Sequence, residues 1–184
     1  LEYSEKINRD DVRKLNVKTK KTKIDPEIII GSIGSSNYAN KFIFPNLKGK
    51  NITLKTIVSK NGLTGYNAFK KHGFVNQTSN SDSIINDKEI NTVFISSLHN
   101  LHSSFVMQSI LNNKNIYVDK PMAINIDELN KIRDLLKNYK QIIQIGFNRR
   151  YSRFSEIIRK EIIKSDKPKF FNYNINAGLL PHDS

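Results

Sequence analysis

The chain has no cysteine among its 184 residues. That excludes disulfides and thiolate metal sites, and it leaves the redox compartment open. No apolar run is long enough to cross a bilayer and no secretory pattern stands at the start, so a cytoplasmic location and no membrane partner are expected. Acidic residues are few beside basic ones: 17 Asp and Glu against 30 Lys and Arg, a net charge of +13. An excess of that size raises the question of a nucleic-acid partner. The lysines, however, are spread along the whole chain in a background rich in Asn, Lys and Ile, and only Arg13 to Lys23 forms a charge run. Without a stacking platform or a reading helix such charge is weak evidence, and no nucleic acid is expected.

What is present is a length that suits one domain with a full core and the start of a second. The stretch Asn91 to Met122 carries its organisation. Val93–Ile95 and Ile116–Val118 are apolar runs too short for helices and read as strands buried on two faces. Between them Leu101, Phe105, Val106, Ile110 and Leu111 have helical spacing. Strand, helix and strand make the unit of a parallel sheet. Each strand ends in a polar cluster: Ser96, Ser97, His99, Asn100 and His102 after the first, Asp119-Lys120-Pro121 after the second. Ligands of open parallel sheets bind at those ends. Lys120, with strand residues behind it and a proline ahead, is the candidate for chemistry.

Read in order, Leu1–Pro26 holds few large apolar residues and is expected to be a linker or lead-in. Glu27–Ile33 predicts the first strand. Gly34-Ser35-Ser36-Asn37-Tyr38-Ala39 follows as a turn, then a helix to about Leu47 kinked at Pro45. This layout suits the start of a dinucleotide site, with Gly34 and Ala39 in the outer positions of the glycine pattern and Ser36 in the middle one. A side chain there crowds the phosphates or donates to them. A plain strand-to-helix turn explains the same residues. Ile52–Val58 predicts the second strand, ending in Ser59-Lys60. Small polar and basic residues at that place suit a ribose 2′-phosphate, which leans towards NADP over NAD; a solvated turn is the alternative.

A helix through Tyr66 and Phe69 is expected to close at His72-Gly73, with glycine as its C-cap. A short strand near Val75–Thr78 and a small helix at Asp82–Asn86 lead to the central unit. Ile126–Leu136 reads as an amphipathic helix capped by Asn125 or Asp127. Ile142–Phe147 reads as a further strand, ended by Asn148-Arg149-Arg150, which could bind a phosphate or simply be solvated. The helix Phe154–Ile163 and the strand Lys169–Ile175 would open a second domain. The expected organisation is therefore a lead-in over 1–26, a nucleotide-binding domain over 27–150 and the start of another domain over 151–184. The first residue, Leu1, and the ending Pro181-His182-Asp183-Ser184 suggest a piece of something longer.

Four stretches, IGSSNYA (33–39), HNLHSSF (99–105), NIYVDKPM (115–122) and IGFNRRY (145–151), together resemble the glucose-fructose oxidoreductase, myo-inositol dehydrogenase and rhizopine-catabolism family (Gfo/Idh/MocA). Asp119-Lys120-Pro121, similar to the family's Glu-Lys-Pro, is the most specific. Asn37-Tyr38-Ala39, the paired arginines and Asn176-Ala177-Gly178 look closest to a branch fused behind a zinc-type alcohol dehydrogenase-like module. The resemblance implies an α/β chain: a Rossmann-type doubly wound parallel sheet with only the start of a second α/β domain. It also implies NADP or NAD as cofactor, a polyol or sugar substrate, and a homo-oligomer for the full-length protein. Carried over, Gly34, Ser35, Ser36, Asn37 and Tyr38 would line the pyrophosphate, and Ser59 and Lys60 the adenosine ribose. Ser97, His99 and His102 would lie along the cofactor, with Asp119 and Lys120 beside the nicotinamide. Asn148 and Arg149 join this cofactor set, and no metal site is expected. Ser36 departs from the pattern, and the family's Asp/His proton-transfer pair has no counterpart before Ser184. In the implied reaction Lys120 stabilises the developing alkoxide. A degenerate module that binds a nucleotide without redox work is the alternative.

Overall fold

Isoleucine and valine fill the short runs between polar turns, and β-branched side chains favour the extended backbone. The computed structural model describes residues 15–16, 28–47, 51–164 and 166–174. The strands are β1 (Leu15–Asn16), β2 (Ile28–Ile33), β3 (Ile52–Val58), β4 (Asn76–Thr78), β5 (Thr92–Ile95), β6 (Asn115–Asp119) and β7 (Ile143–Gly146). They form one sheet in the order β1-β4-β3-β2-β5-β6-β7, in which β2 to β7 run parallel. The expected doubly wound Rossmann-type sheet is present. The chain divides into two compact units, Leu1–Gly146 and Phe147–Ser184.

The lead-in expected over Leu1–Pro26 lies outside the described residues except at β1, which pairs antiparallel with β4 through Leu15–Gln77 and Asn16–Asn76. This strand was not expected, because its local sequence has no apolar body. Ladder bonds need only backbone groups and an open edge, and β4 supplies the edge.

Helices alternate with the strands. Helix α1 is wide-wound over Ala39–Ile43 and α-helical over Phe44–Leu47; α2 is Gly62–His72, α3 Asp82–Ile85, α4 His99–Leu111 and α5 Ile126–Leu136. The irregularity in α1 precedes the expected kink at Pro45. The Phe44 N–H bonds to the Ala39 carbonyl five residues back. Pro45 has no N–H and its ring would strike the preceding turn, so widening that turn accommodates it. Gly73 ends α2 at φ +79°, the left-handed cap expected for it. Asn125 caps α5 by accepting from the Glu128 N–H at 2.9 Å.

Two apolar clusters form the core, as a sheet covered on both faces requires. Phe44 of α1, Ala68 and Phe69 of α2 and Phe74 pack with Ile30, Leu54 and Ile57. Ile84 and Ile85 of α3, Val106 and Ile110 of α4 and Ile132 of α5 pack with Ile33, Val93, Ile95, Ile116 and Val118. No helix among the described residues is long and apolar enough to cross a membrane.

The second unit holds a 3-10 turn, Asn148–Tyr151, and helix α6, Arg153–Ile163, whose first turn is capped by the Ser152 hydroxyl. The expected strand Lys169–Ile175 is not formed over its described part, 169–174. Phe170 and Tyr173 there are 92% and 76% exposed, and no ladder partner lies beside the segment among the described residues. A strand exists only through such a partner.

Behind the sheet, Lys55 bonds to Asp87 at 2.5 Å and to Glu89 at 2.9 Å. The buried ammonium of Lys114 donates to the carbonyls of Asp87 and Ile90 at 2.6 and 2.8 Å. Partial burial opposes ionisation of Asp87, but the Lys55 hydrogen bond, the Glu89 N–H and the charges of Lys55 and Lys114 outweigh it. They hold the carboxyl below the ordinary value of 3.8. A carboxyl depressed in the folded state contributes stability that is complete above 3.8 and is lost as pH falls through the lower folded value. Stability is therefore expected to drop on that acid limb, and Asp87→Asn to flatten it. Urea midpoints from neutral pH to about pH 3 provide the check, and equal slopes for both proteins would refute the assignment.

Candidate functional site

Because β2 to β7 are parallel, their carboxyl ends meet on one edge of the sheet. The order turns between β2 and β5, whose connections leave in opposite directions and open a crevice there. At this point Gly34 has φ +92°, and a Cβ built on it would stand 2.4 Å from the Ser96 carbonyl oxygen and 2.7 Å from the Ser97 nitrogen. Backbone conformation and space both demand glycine. The turn is held on either side: Gly34 N–H donates to the Val58 carbonyl at 2.8 Å, and Ser96 N–H to that of Ile33 at 2.9 Å. Asn40 adds a brace, its amide donating to the carbonyls of Ser35 and Ser36 at 2.8 and 3.1 Å. Buried His72 lies 3.0 Å from the Asn40 amide oxygen through Nε2, so the helix-end histidine also supports the turn. Nothing in the local sequence marks Asn40 for this.

Ser36, the side chain in the middle position of the turn, has two partners within the protein. Its Oγ accepts from the Ala39 N–H at 3.1 Å, capping α1, and donates to Asp119 Oδ2 at 3.3 Å. The other Asp119 oxygen accepts from the Tyr117 hydroxyl at 3.1 Å. The hydroxyl thus runs along the sheet edge and ties the glycine turn to the end of β6. Lys120, the next residue, stands on the same edge as Gly34 and is exposed. The Lys120–Pro121 peptide is cis.

A groove of about 420 Å³ opens over the turn. Of the residues expected to bind a ligand, Gly34, Ser35, Ser36, Ser59, Lys60 and Ser97 line it. Asn61, Thr64, Ser79, Ser81, Ser96, Leu98, Leu101 and Phe105 also line it. Ser79 and Ser81 follow β4 and were legible by the rule that singled out residues 96–102: small polar residues just past a strand. No carboxylate lines the groove, and Lys60 is its one charged residue. Ser35 Oγ and Ser96 Oγ are buried and have no hydrogen-bond partner among the described residues.

Other expected site residues lie elsewhere. Asn37 and Tyr38 are exposed at the start of α1, with the Tyr38 ring 5.2 Å from that of Phe42. His99 is exposed as the first residue of α4. His102, expected along the cofactor, is instead wholly buried with each ring nitrogen against a backbone carbonyl, because a polar ring in the core must find partners there. Asn148 and Arg149 belong to the second unit, on its 3-10 turn. No group of three or more His, Asp or Glu among the described residues is arranged to hold a metal ion.

Residues 28–147 match the profile of an oxidoreductase family with an NAD-binding Rossmann fold. An oxidoreductase of Formosa agariphila is 28% identical over 138 residues, 72% of this chain and 43% of that protein. Levoglucosan dehydrogenase of Pseudarthrobacter phenanthrenivorans is 29% identical over 108 residues, 59% of this chain and 28% of that one. Among solved structures, a levoglucosan dehydrogenase in complex with NADH and levoglucosan superposes with a TM-score of 0.67 at 24% identity, covering 75% of this chain and 40% of that one. This likeness shows the fold. The chain spans less than half the length of the relatives it matches.

A nicotinamide dinucleotide suits what the groove offers. Two buried hydroxyls, Ser35 and Ser96, have no other partner, the turn leads into a helix N-terminus, and no carboxylate opposes a phosphate. Gly34→Ala is expected to cost about 3 kcal/mol or more, because it adds both strain and a backbone clash. Ser36→Gly, which restores the common pattern, is expected to cost about 1 kcal/mol through the lost cap and the lost Asp119 bond. Urea denaturation measures both, and a stabilised Ser36→Gly chain would contradict the role given to that hydroxyl.

Proposed function

Because the chain belongs to this oxidoreductase family with an NAD-binding Rossmann fold, we propose that it holds a nicotinamide dinucleotide for hydride transfer at a hydroxyl or ketone carbon of a sugar, cyclitol or related polyol. One observation carries the proposal. The left-handed turn at Gly34 closes against the Ser96–Ser97 backbone at the point where the strand order turns, with unpartnered buried hydroxyls beside it. One of the relatives named above is a levoglucosan dehydrogenase, which supports a small polyhydroxylated substrate.

When bound, the dinucleotide supplies the hydride chemistry. The chain's own residues bind and orient it: Gly34, Ser35 and Ser96 at the pyrophosphate, Ser59 and Lys60 at the adenosine ribose, Ser97 and Leu98 along the wall. Asn37, Tyr38, His99, Asn148 and Arg149 stay in the proposed cofactor set on the family resemblance. Lys120 as ammonium faces the alkoxide that develops on the substrate, and Asp119, fixed by Ser36 and Tyr117, sets the backbone before it. The groove contains no histidine or carboxylate, so it supplies no proton acceptor of its own. The absence of a carboxylate beside Ser59 and Lys60 favours NADP, since an acidic residue there is what selects a free 2′-hydroxyl. The proposal includes a cytoplasmic homo-oligomer and the branch fused behind a zinc-type alcohol dehydrogenase-like module; the support for these is the sequence alone.

Titrating the chain with NADPH and NADH by nicotinamide fluorescence tests the cofactor. We expect tighter binding of NADPH, with Lys60→Gln weakening it about tenfold and leaving NADH little changed. Failure to bind either nucleotide would remove the redox reading. For the chemistry, Lys120→Ala in the holoenzyme should lower kcat about a hundredfold or more, with nucleotide affinity within about threefold. Turnover near the unmodified rate would remove Lys120 from the reaction.

A further inference from the structure

His102 is a buried polar group that does not line the groove. It lies on α4 with no exposure to solvent. Nδ1 is 2.7 Å from the Pro121 carbonyl oxygen, and Nε2 is 3.1 Å from that of Ser97. Carbonyl oxygens only accept and a neutral imidazole carries one N–H, so the ring donates to one of the two carbonyls and packs against the other. The two carbonyls belong to different strand ends: Ser97 follows β5 and walls the groove, and Pro121 follows Lys120.

Past the Ser96 N–H, which still bonds to the Ile33 carbonyl of β2, the strand ladders hold neither segment. The last ladder pairs here join Ile95 to Val118 and Asp119 to Gly146, so residues 96–98 and 120–121 lie past the end of the sheet. Pro121 has no N–H, and its carbonyl is the one backbone hydrogen-bonding group it offers. His102 reaches that group from the adjacent helix. Asp119, bonded to Ser36, anchors the strand on the near side of Lys120, and His102 anchors it on the far side.

We propose that His102 is a positioning residue whose ring, hydrogen-bonded to one carbonyl and packed against the other, ties the Ser97 wall of the groove to the Lys120–Pro121 bend, so that Lys120 is not set by β6 alone. The tie is a matter of geometry within the first unit; only the use made of Lys120 rests on the proposed function.

Residue-resolved hydrogen exchange of the whole chain reads the two segments separately. In His102→Phe the amides of Ser97 and Leu98, and those of Lys120 and Met122, should exchange about tenfold faster, while those around Lys114 at the far edge change by less than about twofold. His102→Gln, which retains an N–H donor, should keep protection on at least one side. A uniform rise across the sheet, or no rise at Lys120 and Met122, overturns the proposal. A second measurement needs no variant and covers a phenylalanine chain that does not fold: a ring N–H of His102 should give a resolved, slowly exchanging proton signal in the unmodified chain. Rapid exchange of that proton overturns the tie. NADH and NADPH titrations on the same sample judge the redox reading independently. A chain that binds neither nucleotide yet shows the coupled exchange would keep the tie and lose the chemistry.

Discussion

The approach of the Gly34 backbone to the Ser96–Ser97 backbone is the constraint on which the site depends. Two parallel strands that end side by side and diverge must leave their turns touching, and here they touch so closely that a single methyl group has no room. The groove is the space left over that contact. Small side chains keep it open: serines at 35, 36, 59, 79, 81, 96 and 97 line it where larger residues would fill the crevice.

A second layer of hydrogen bonds holds this edge in shape. Asn40 and His72 support the glycine turn from behind, the Ser36 hydroxyl joins it to Asp119, and His102 spans the two strand ends. Each of these side chains is used up by the protein itself. Among the described residues, the buried hydroxyls of Ser35 and Ser96 have no such partner, and Lys60 lines the groove.

Much of the fold was legible. The apolar runs at 93–95 and 116–118, the Gly73 and Asn125 caps and the helical spacing through Val106 and Ile110 each depend on residues a few positions apart, and each is found where expected. The candidate site was legible in part. Gly34, Ser35, Ser36, Ser59, Lys60 and Ser97 line the groove, while the Ser36 hydroxyl also bonds to Asp119 and His102 is sealed into the core. Those partners come from strands far apart in the chain, and no local pattern encodes which of two available bonds a hydroxyl or an imidazole will make.

The sequence by itself determined the alternation of strands and helices, the need for glycine at position 34 and the gathering of polar residues at strand ends. These rest on backbone sterics and side-chain periodicity, which act over short separations. Only the tertiary structure decided which polar residues line the groove and which brace the edge, that β1 pairs with an open strand, and that residues 169–174 form no strand. Hydrogen bonds and ladders are properties of pairs, and the second member of each pair is supplied by the fold.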